Sequence, residues 1–183
     1  DLVAHVTVMG GAVDLPGNVT PAAEANIYSD PEAAARVFAA GWPITLAARD
    51  VTTQHLLSED DRQRMLASTA PLTKALGAML AQCFDFHERV LGFRGCSLHD
   101  PLAVGLALGM VRVADASQAT MTVDTSTGPD RGATRRIPNS KNGPNSIDIT
   151  ARTTVVAATD RPLAPELLAL ITGDSHPTET PGA

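Results

Sequence analysis

The sequence predicts an α/β protein with a mainly parallel sheet flanked by helices, and three observations carry that prediction. A β-branched run, His5 to Met9, stops at Gly10-Gly11 as a strand stops in a loop. Next, "SDPEAAARVFAAG" has Ser29 or Asp30 as cap, Pro31 and Glu32 in its first turn and Gly41 as its stop, which predicts a helix. The run "PITLAARDVT" then reads as a second strand. Strand, loop, helix and strand in this order make a βαβ unit, whose strands are parallel and whose crossover is right-handed.

The remaining elements follow the same rules. Residues 53 to 95 are helical in pattern: Ser58 caps "EDDRQRMLAS", with acids in the first turn and bases further along, and "PLTKALGAMLAQCFDFHERVLG" is a longer amphipathic helix. Asp100 as N-cap and Pro101 as first residue open "PLAVGLALGMV". Apolar side chains lie on every side of that helix, which predicts burial all round, and Gly105 and Gly109 four apart predict a neighbour pressed against its backbone. "ATMTVDTST" alternates as a strand, "GPDRG" supplies a turn, "SIDITARTTVVAA" is another strand and "APELLALIT" a short helix. Residues 1–173 are expected to form one domain and 174–183 a frayed tail.

Composition narrows the function classes. The 183 residues are 44% hydrophobic and 19% charged, as in a globular protein with its own core. A net charge of -6 argues against a nucleic-acid partner, which needs a basic field. The one basic patch, Arg131, Arg135, Arg136 and Lys141, sits in a Gly/Pro/Asn-rich stretch and reads as a solvated loop. No apolar segment reaches membrane-spanning length, and no signal stretch opens the chain, which begins at Asp1 without methionine; a cytoplasmic protein, or a processed or truncated one, is expected, with no membrane partner. Cys83 and Cys96 lack metal spacing and read as free thiols of a reducing compartment.

In such sheets ligands bind beyond the carboxyl ends of the strands. The loop after the first strand carries Asn18, Glu24 and Asn26 with no lysine or arginine among them, and no Gly-rich nucleotide fingerprint. Neutral donors with one carboxylate suit the hydroxyls of a polyol such as a sugar, although each asparagine could equally satisfy its own backbone. His99 and Asp100 have two readings as well. Either Asp100 caps and His99 is a loop histidine, or Asp100 stays ionised as a ligand for a cation or hydroxyls with His99 beside it as proton donor.

The stretch "VMGGAVDLPGNVTPAAEANIYSDPEAAARVFAAGWPITLAARDVT" followed by "HDPLAV" resembles the inosine-uridine preferring nucleoside hydrolases, and "TGPDRGATR" is similar to that family's late turn. The resemblance covers nearly the whole chain. It implies a Rossmann-like core and cleavage of the N-glycosidic bond of ribonucleosides to ribose and free base. By the same resemblance Asn18 and Glu24 hold the 5′ side of the ribose, Asn26 its 2′ and 3′ side, and Met9 packs beside the sugar. Asp100 is implied as a calcium ligand that also touches ribose, and His99 as the acid that protonates the departing base.

The departures from the family pattern are equally specific. The aspartate-rich DxDxGxDD motif, which supplies most of the calcium ligands and the base that activates water, has no counterpart here, and Glu59-Asp60-Asp61 reads as a solvated helix start. The strand at Asp1 matches one from the middle of the family fold, so about the first half of the domain is expected to be missing, and calcium binding by the chain alone is expected to be weak. Ala25 replaces a bulky aromatic between the glutamate and asparagine, which implies a looser sugar pocket. Phe84, Phe86 and His87 lie upstream of His99 without an assigned role. The alternative function is a non-catalytic ribose-binding or assembly module. A sheet that lacks strands exposes an edge, so a homo-oligomer or association through that edge is expected. A third reading keeps His99 and Asp100 as a metal-free acid/base pair.

Overall fold

The computed structural model describes residues 2–137 and 152–173. In chain order these form β1 (Val6–Met9), α1 (Ala25–Ser29), α2 (Pro31–Ala39), β2 (Ile44–Ala47), α3 (Arg49–Thr52), β3 (Leu56–Ser58) and α4 (Glu59–Ala67). There follow α5 (Pro71–Leu91), β4 (Gly95–Ser97), α6 (His99–Ala107), β5 (Val113–Val123), β6 (Thr134–Ile137), β7 (Thr153–Thr159) and α7 (Leu163–Thr172). Lys141, the first part of the expected strand 146–158 and the expected tail 174–183 lie outside the described residues. The chain divides into two compact units, Asp1–Thr53 with His99–Asp160 and Gln54–Leu98 with Arg161–Ala183.

The first unit holds a five-stranded sheet of order β1-β2-β7-β5-β6. The βαβ reading holds: Asp30 caps α2 through Ala33 N–H, and β1 pairs parallel with β2 from Val6↔Ile44 to Met9↔Ala47. β2 pairs parallel with β7, whereas β5 runs antiparallel to both β7 and β6, so the sheet is mixed rather than mainly parallel. The short connection from Val123 to Thr134 explains the difference, because a hairpin of that length joins only antiparallel neighbours. Ile44, Leu46 and Ala48 alternate onto one face of the sheet and pack with Ile27, Phe38, Met121 and Val155.

Several expectations change here. The second strand ends at Ala47, where the chain turns into α3, and α1 occupies part of the polar loop. α6 begins at His99, so Asp100 and Pro101 sit inside its first turn rather than at the cap. It is also not buried all round: Leu102 is buried against a neighbourhood that includes β1 and β2, but Val104 is 55% and Leu108 70% exposed. Gly109 lies beyond the helix with φ +71° and nothing within 4 Å of a Cβ position, so it stops the helix and makes no close approach. The arginine patch is a set of ion pairs, Arg131 with Glu32, Arg135 with Asp130 and Arg136 with Asp14.

In the second unit two three-residue strands, β3 and β4, pair antiparallel inside the stretch expected to be helical throughout. Ser58 caps α4 in a reciprocal box with Asp61, as its position predicts. Glu59, the next residue, accepts from Arg62, Gln63 and Arg94. Chiefly through the Arg62 hydrogen bond, its carboxyl is lowered to about 2 from the ordinary 4.5. A carboxyl whose folded value is depressed is protonated first in the unfolded chain as pH falls, so its stabilisation is present above 4.5 and disappears toward 2. Glu59→Gln is therefore expected to flatten the loss of thermal stability between those pH values, as read by melting temperature against pH.

Candidate functional site

The ligand-facing loop is folded onto the end of β1 by three sets of hydrogen bonds. Glu24 is 2% exposed; its carboxylate accepts Gly11 N–H at 2.8 Å, Asn26 N–H at 3.0 Å and Ile27 N–H at 3.4 Å, which caps α1 and fastens it to the turn after β1. Asp50, at the start of α3, accepts Val13 N–H at 2.9 Å, Asp14 N–H at 2.6 Å and Leu15 N–H at 3.1 Å. Between these anchors residues 17–23 close a tight turn in which Asn18 N–H and Val19 N–H reach Ala23 O. A Cβ at Gly17 would fall 2.2 Å from Ala23 O, so only glycine fits there.

Met9, Asn18, Glu24 and Asn26 thereby form one cluster at the carboxyl end of β1. The exposed Asn26 donates its amide N–H to Met9 Sδ at 3.0 Å, and the exposed Asn18 accepts Ala25 N–H at 2.9 Å through its amide oxygen. The carboxylate of Glu24 is occupied by backbone donors, whereas the amides of Asn18 and Asn26 remain at the surface. His99 and Asp100 stand at the start of α6, which packs against β1, β2 and α3. His99 is half-buried with Nδ1 2.6 Å from the hydroxyl of the fully buried Thr52, and Asp100 is exposed. Met9 and Ala47 are partners in the parallel ladder, so the loop after β1 and α3 after β2 emerge from the same end of the sheet.

Calcium does not fit the described residues alone. It takes six to eight oxygens, and among the described residues Asp100 stands without two further His, Cys, Asp or Glu groups placed to share an ion. A groove of about 650 Å³ lies elsewhere in the same unit, lined by His5, Thr7, Thr45, Leu106, Val111 and Val113 at the other end of β1 and α6. None of the predicted site residues lines it, so its volume alone does not mark a sugar site. Phe84, by contrast with Phe86, is fully buried, with Arg62 Cζ 5.9 Å from its ring centre, and His87 Nδ1 lies 2.9 Å from Gly95 O; both contacts are internal to the second unit. Among the described residues no helix is long and apolar enough to cross a membrane.

Sequence reasoning did not single out Asp50 and Thr52. Both lie in "RDVT", which continues a strand-like pattern, and the available signal was an acid immediately beyond a strand's carboxyl end, where such sheets place their sites.

Comparison with known proteins gives a consistent picture. The sequence model of the inosine-uridine preferring nucleoside hydrolase family matches residues 1–162. Over 107 residues the chain is 40% identical to the pyrimidine-specific ribonucleoside hydrolase RihA of Citrobacter koseri, covering 58% of this chain and 34% of that protein. The solved plant nucleoside hydrolase PpNRh1 superimposes with TM-score 0.81 at 27% identity, over 92% of this chain and 53% of that one. The purine-preferring ribonucleoside hydrolase from Gardnerella vaginalis does so with TM-score 0.78 at 34% identity, over 92% and 52%. The chain thus spans about a third of the curated relative's length and about half of the solved ones'.

The Asp50 clamp makes a measurable difference. In Asp50→Ala the amides of Val13, Asp14 and Leu15 lose their acceptor, and their hydrogen exchange is expected to rise at least about tenfold, by the roughly 1.5–3 kcal/mol typical of bonds to a charged acceptor. Amides of β7 are expected to keep their native rates; unchanged exchange at residues 13–15 would remove Asp50 from this role.

Proposed function

The chain belongs to the inosine-uridine preferring nucleoside hydrolase family, and from that premise we propose that it carries the ribose-holding side of a site that cleaves the N-glycosidic bond of ribonucleosides to ribose and free base. The observation that supports this most is the joined cluster Met9, Asn18, Glu24 and Asn26 at the carboxyl end of β1. Asn18 and Glu24 are assigned to the 5′ side of the ribose, Asn26 to the 2′ and 3′ side and Met9 to the sugar's face. One named relative is pyrimidine-specific and another purine-preferring, so the element this chain is proposed to share with them is the hold on ribose.

The chemistry follows from charge. As the bond to the base breaks, positive charge builds on the ribose ring and negative charge on the leaving nitrogen, while water adds to the anomeric carbon. The carboxylates of Glu24 and Asp100 favour the first, and a proton from His99 favours the second. Asp100 is proposed as one calcium ligand, with the remaining oxygens and the group that activates water coming from outside the described residues. The free thiols Cys83 and Cys96 suit a reducing compartment, and the proposal places the chain in the cytoplasm.

A second reading, a non-catalytic module that associates with another chain, draws on the place of β1 at the edge of its sheet and on exposed Val104, Leu108 and Val113. Ribose release from inosine, uridine, adenosine and cytidine, with added calcium and with chelator, separates the two. Calcium-dependent release that a chelator abolishes is expected if the missing oxygens are supplied by association, with the active fraction growing with concentration in parallel sedimentation. No release by a folded chain under either condition would overturn the enzyme reading for this chain.

A further inference from the structure

A cluster of nucleophilic and titratable side chains lies outside the proposed site: Cys83 and His87 on α5 and Cys96 on β4, all in the second unit. The path of the chain brings them together. α5 stops at Gly92, whose φ of +75° turns the backbone out of the helix. Arg94 then reaches back, with Nη1 2.6 Å from Asp85 and 2.9 Å from Glu88 of α5, and Nε 2.9 Å from Glu59 of α4. β4 therefore returns along α5, and Cys96, just beyond Arg94, meets Cys83, just before Asp85. His87 ties the two elements at one point, its Nδ1 2.9 Å from Gly95 O and 3.7 Å from Cys83 Sγ. A carbonyl oxygen only accepts, so Nδ1 carries a proton and Cys83 sulfur lies beside an N–H.

We propose that Cys83 and Cys96 are a thiol pair that a hydroperoxide converts to an internal disulfide, with Cys83 reacting first and Cys96 resolving it. The surroundings separate the two roles. Cys83 is half-buried and open to a small oxidant, and an N–H beside a sulfur favours its thiolate, the reactive form. Cys96 is buried, and burial, together with the charge and hydrogen bonding of the adjoining Cys83, pushes its thiol up to about 12. It therefore stays a protected thiol until its neighbour is oxidised. The part owed to the Cys83 charge vanishes once Cys83 is a neutral sulfenic acid.

The chemistry balances with hydrogen peroxide as oxidant. The Cys83 sulfur attacks one peroxide oxygen, an S–O bond forms, the O–O bond breaks, and the departing hydroxide takes up the Cys83 proton as water. The Cys96 sulfur then attacks the Cys83 sulfur. The S–S bond forms, the S–O bond breaks, and the second hydroxide leaves with the Cys96 proton as a second water. Two thiols are oxidised to one disulfide and one peroxide is reduced to two waters. In a reducing compartment such a pair rests as thiols and closes only when oxidant rises, which is how thiols in that setting act as sensors. The bond fastens α5 to β4, the strand whose chain continues through Leu98 into His99.

The reduced full chain, treated with a small molar excess of hydrogen peroxide at neutral pH and then alkylated under denaturing conditions, tests this by intact mass and peptide mapping. The expected product has lost two hydrogens, carries the Cys83 peptide joined to the Cys96 peptide, and returns to the starting mass with dithiothreitol. Linking is expected to be at least about tenfold faster in the folded chain than in urea, where nothing holds the pair in place. With dimedone present, Cys96→Ala is expected to yield a sulfenic-acid adduct at Cys83, and Cys83→Ala to leave Cys96 a free thiol. Four results would overturn the proposal: no oxidation of either cysteine, Cys83 driven to sulfinic acid while Cys96 stays free, chains joined to one another through Cys83, or linking no faster than in urea. All four are read on the unmutated chain, so none depends on a variant folding, and none depends on ribose release.

Discussion

The Glu24 carboxylate, 2% exposed, accepts the N–H groups of Gly11, Asn26 and Ile27. An ionised carboxylate removed from water costs several kcal/mol unless hydrogen bonds replace its hydration, so this one must be met by fixed donors. The backbone supplies them only if the turn after β1 and the first turn of α1 converge on the same point. That convergence sets Asn26 beside Met9 and Asn18 against the start of α1. Glu24 therefore holds the loop in shape and supplies its negative charge at once, and replacing it removes both contributions together. Asp50 performs the first task alone, from the start of α3, for residues 13–15.

Parallel pairing carries that local order to the second group. With Met9 opposite Ala47, the loop after β1 and the helix after β2 leave the sheet on the same side, and α6 packs across β1, β2 and α3 with His99 at its first position. Two groups distant in sequence, one of amides around a buried carboxylate, the other an imidazole beside an exposed carboxylate, are thus carried by the loop after β1 and by α6, whose His99 meets Thr52 of α3.

Much of this was legible in the sequence where a local rule fixes the outcome. Asp30-Pro31 capped α2 and Ser58 capped α4 because capping depends on the few residues nearest the helix end. The strand–helix–strand order gave the parallel pair. β3 and β4 were not legible, because three residues show no period and their pairing across 39 positions is purely tertiary. The exposed side of α6 was hidden for another reason: an apolar wheel states what can be buried, while Val104 and Leu108 show what this chain covers. In the site, Asn18, Glu24, Asn26, His99 and Asp100 stood out by residue type and resemblance. The contacts of Asp50 with residues 13–15 and of Thr52 with His99 join segments up to 47 residues apart and leave no trace in spacing.

The central claim is that this chain holds ribose through the cluster at the end of β1. Titration of D-ribose and of inosine into the 15N- and methyl-13C-labelled chain tests it most directly, through the Met9 methyl and the Asn18 and Asn26 side-chain amides. Saturable shifts of these three signals by both ligands, with the methyls of the second unit unmoved, are predicted. Signals that stay still while the chain is folded, or shifts confined to the groove around His5 and Thr45, would contradict the account.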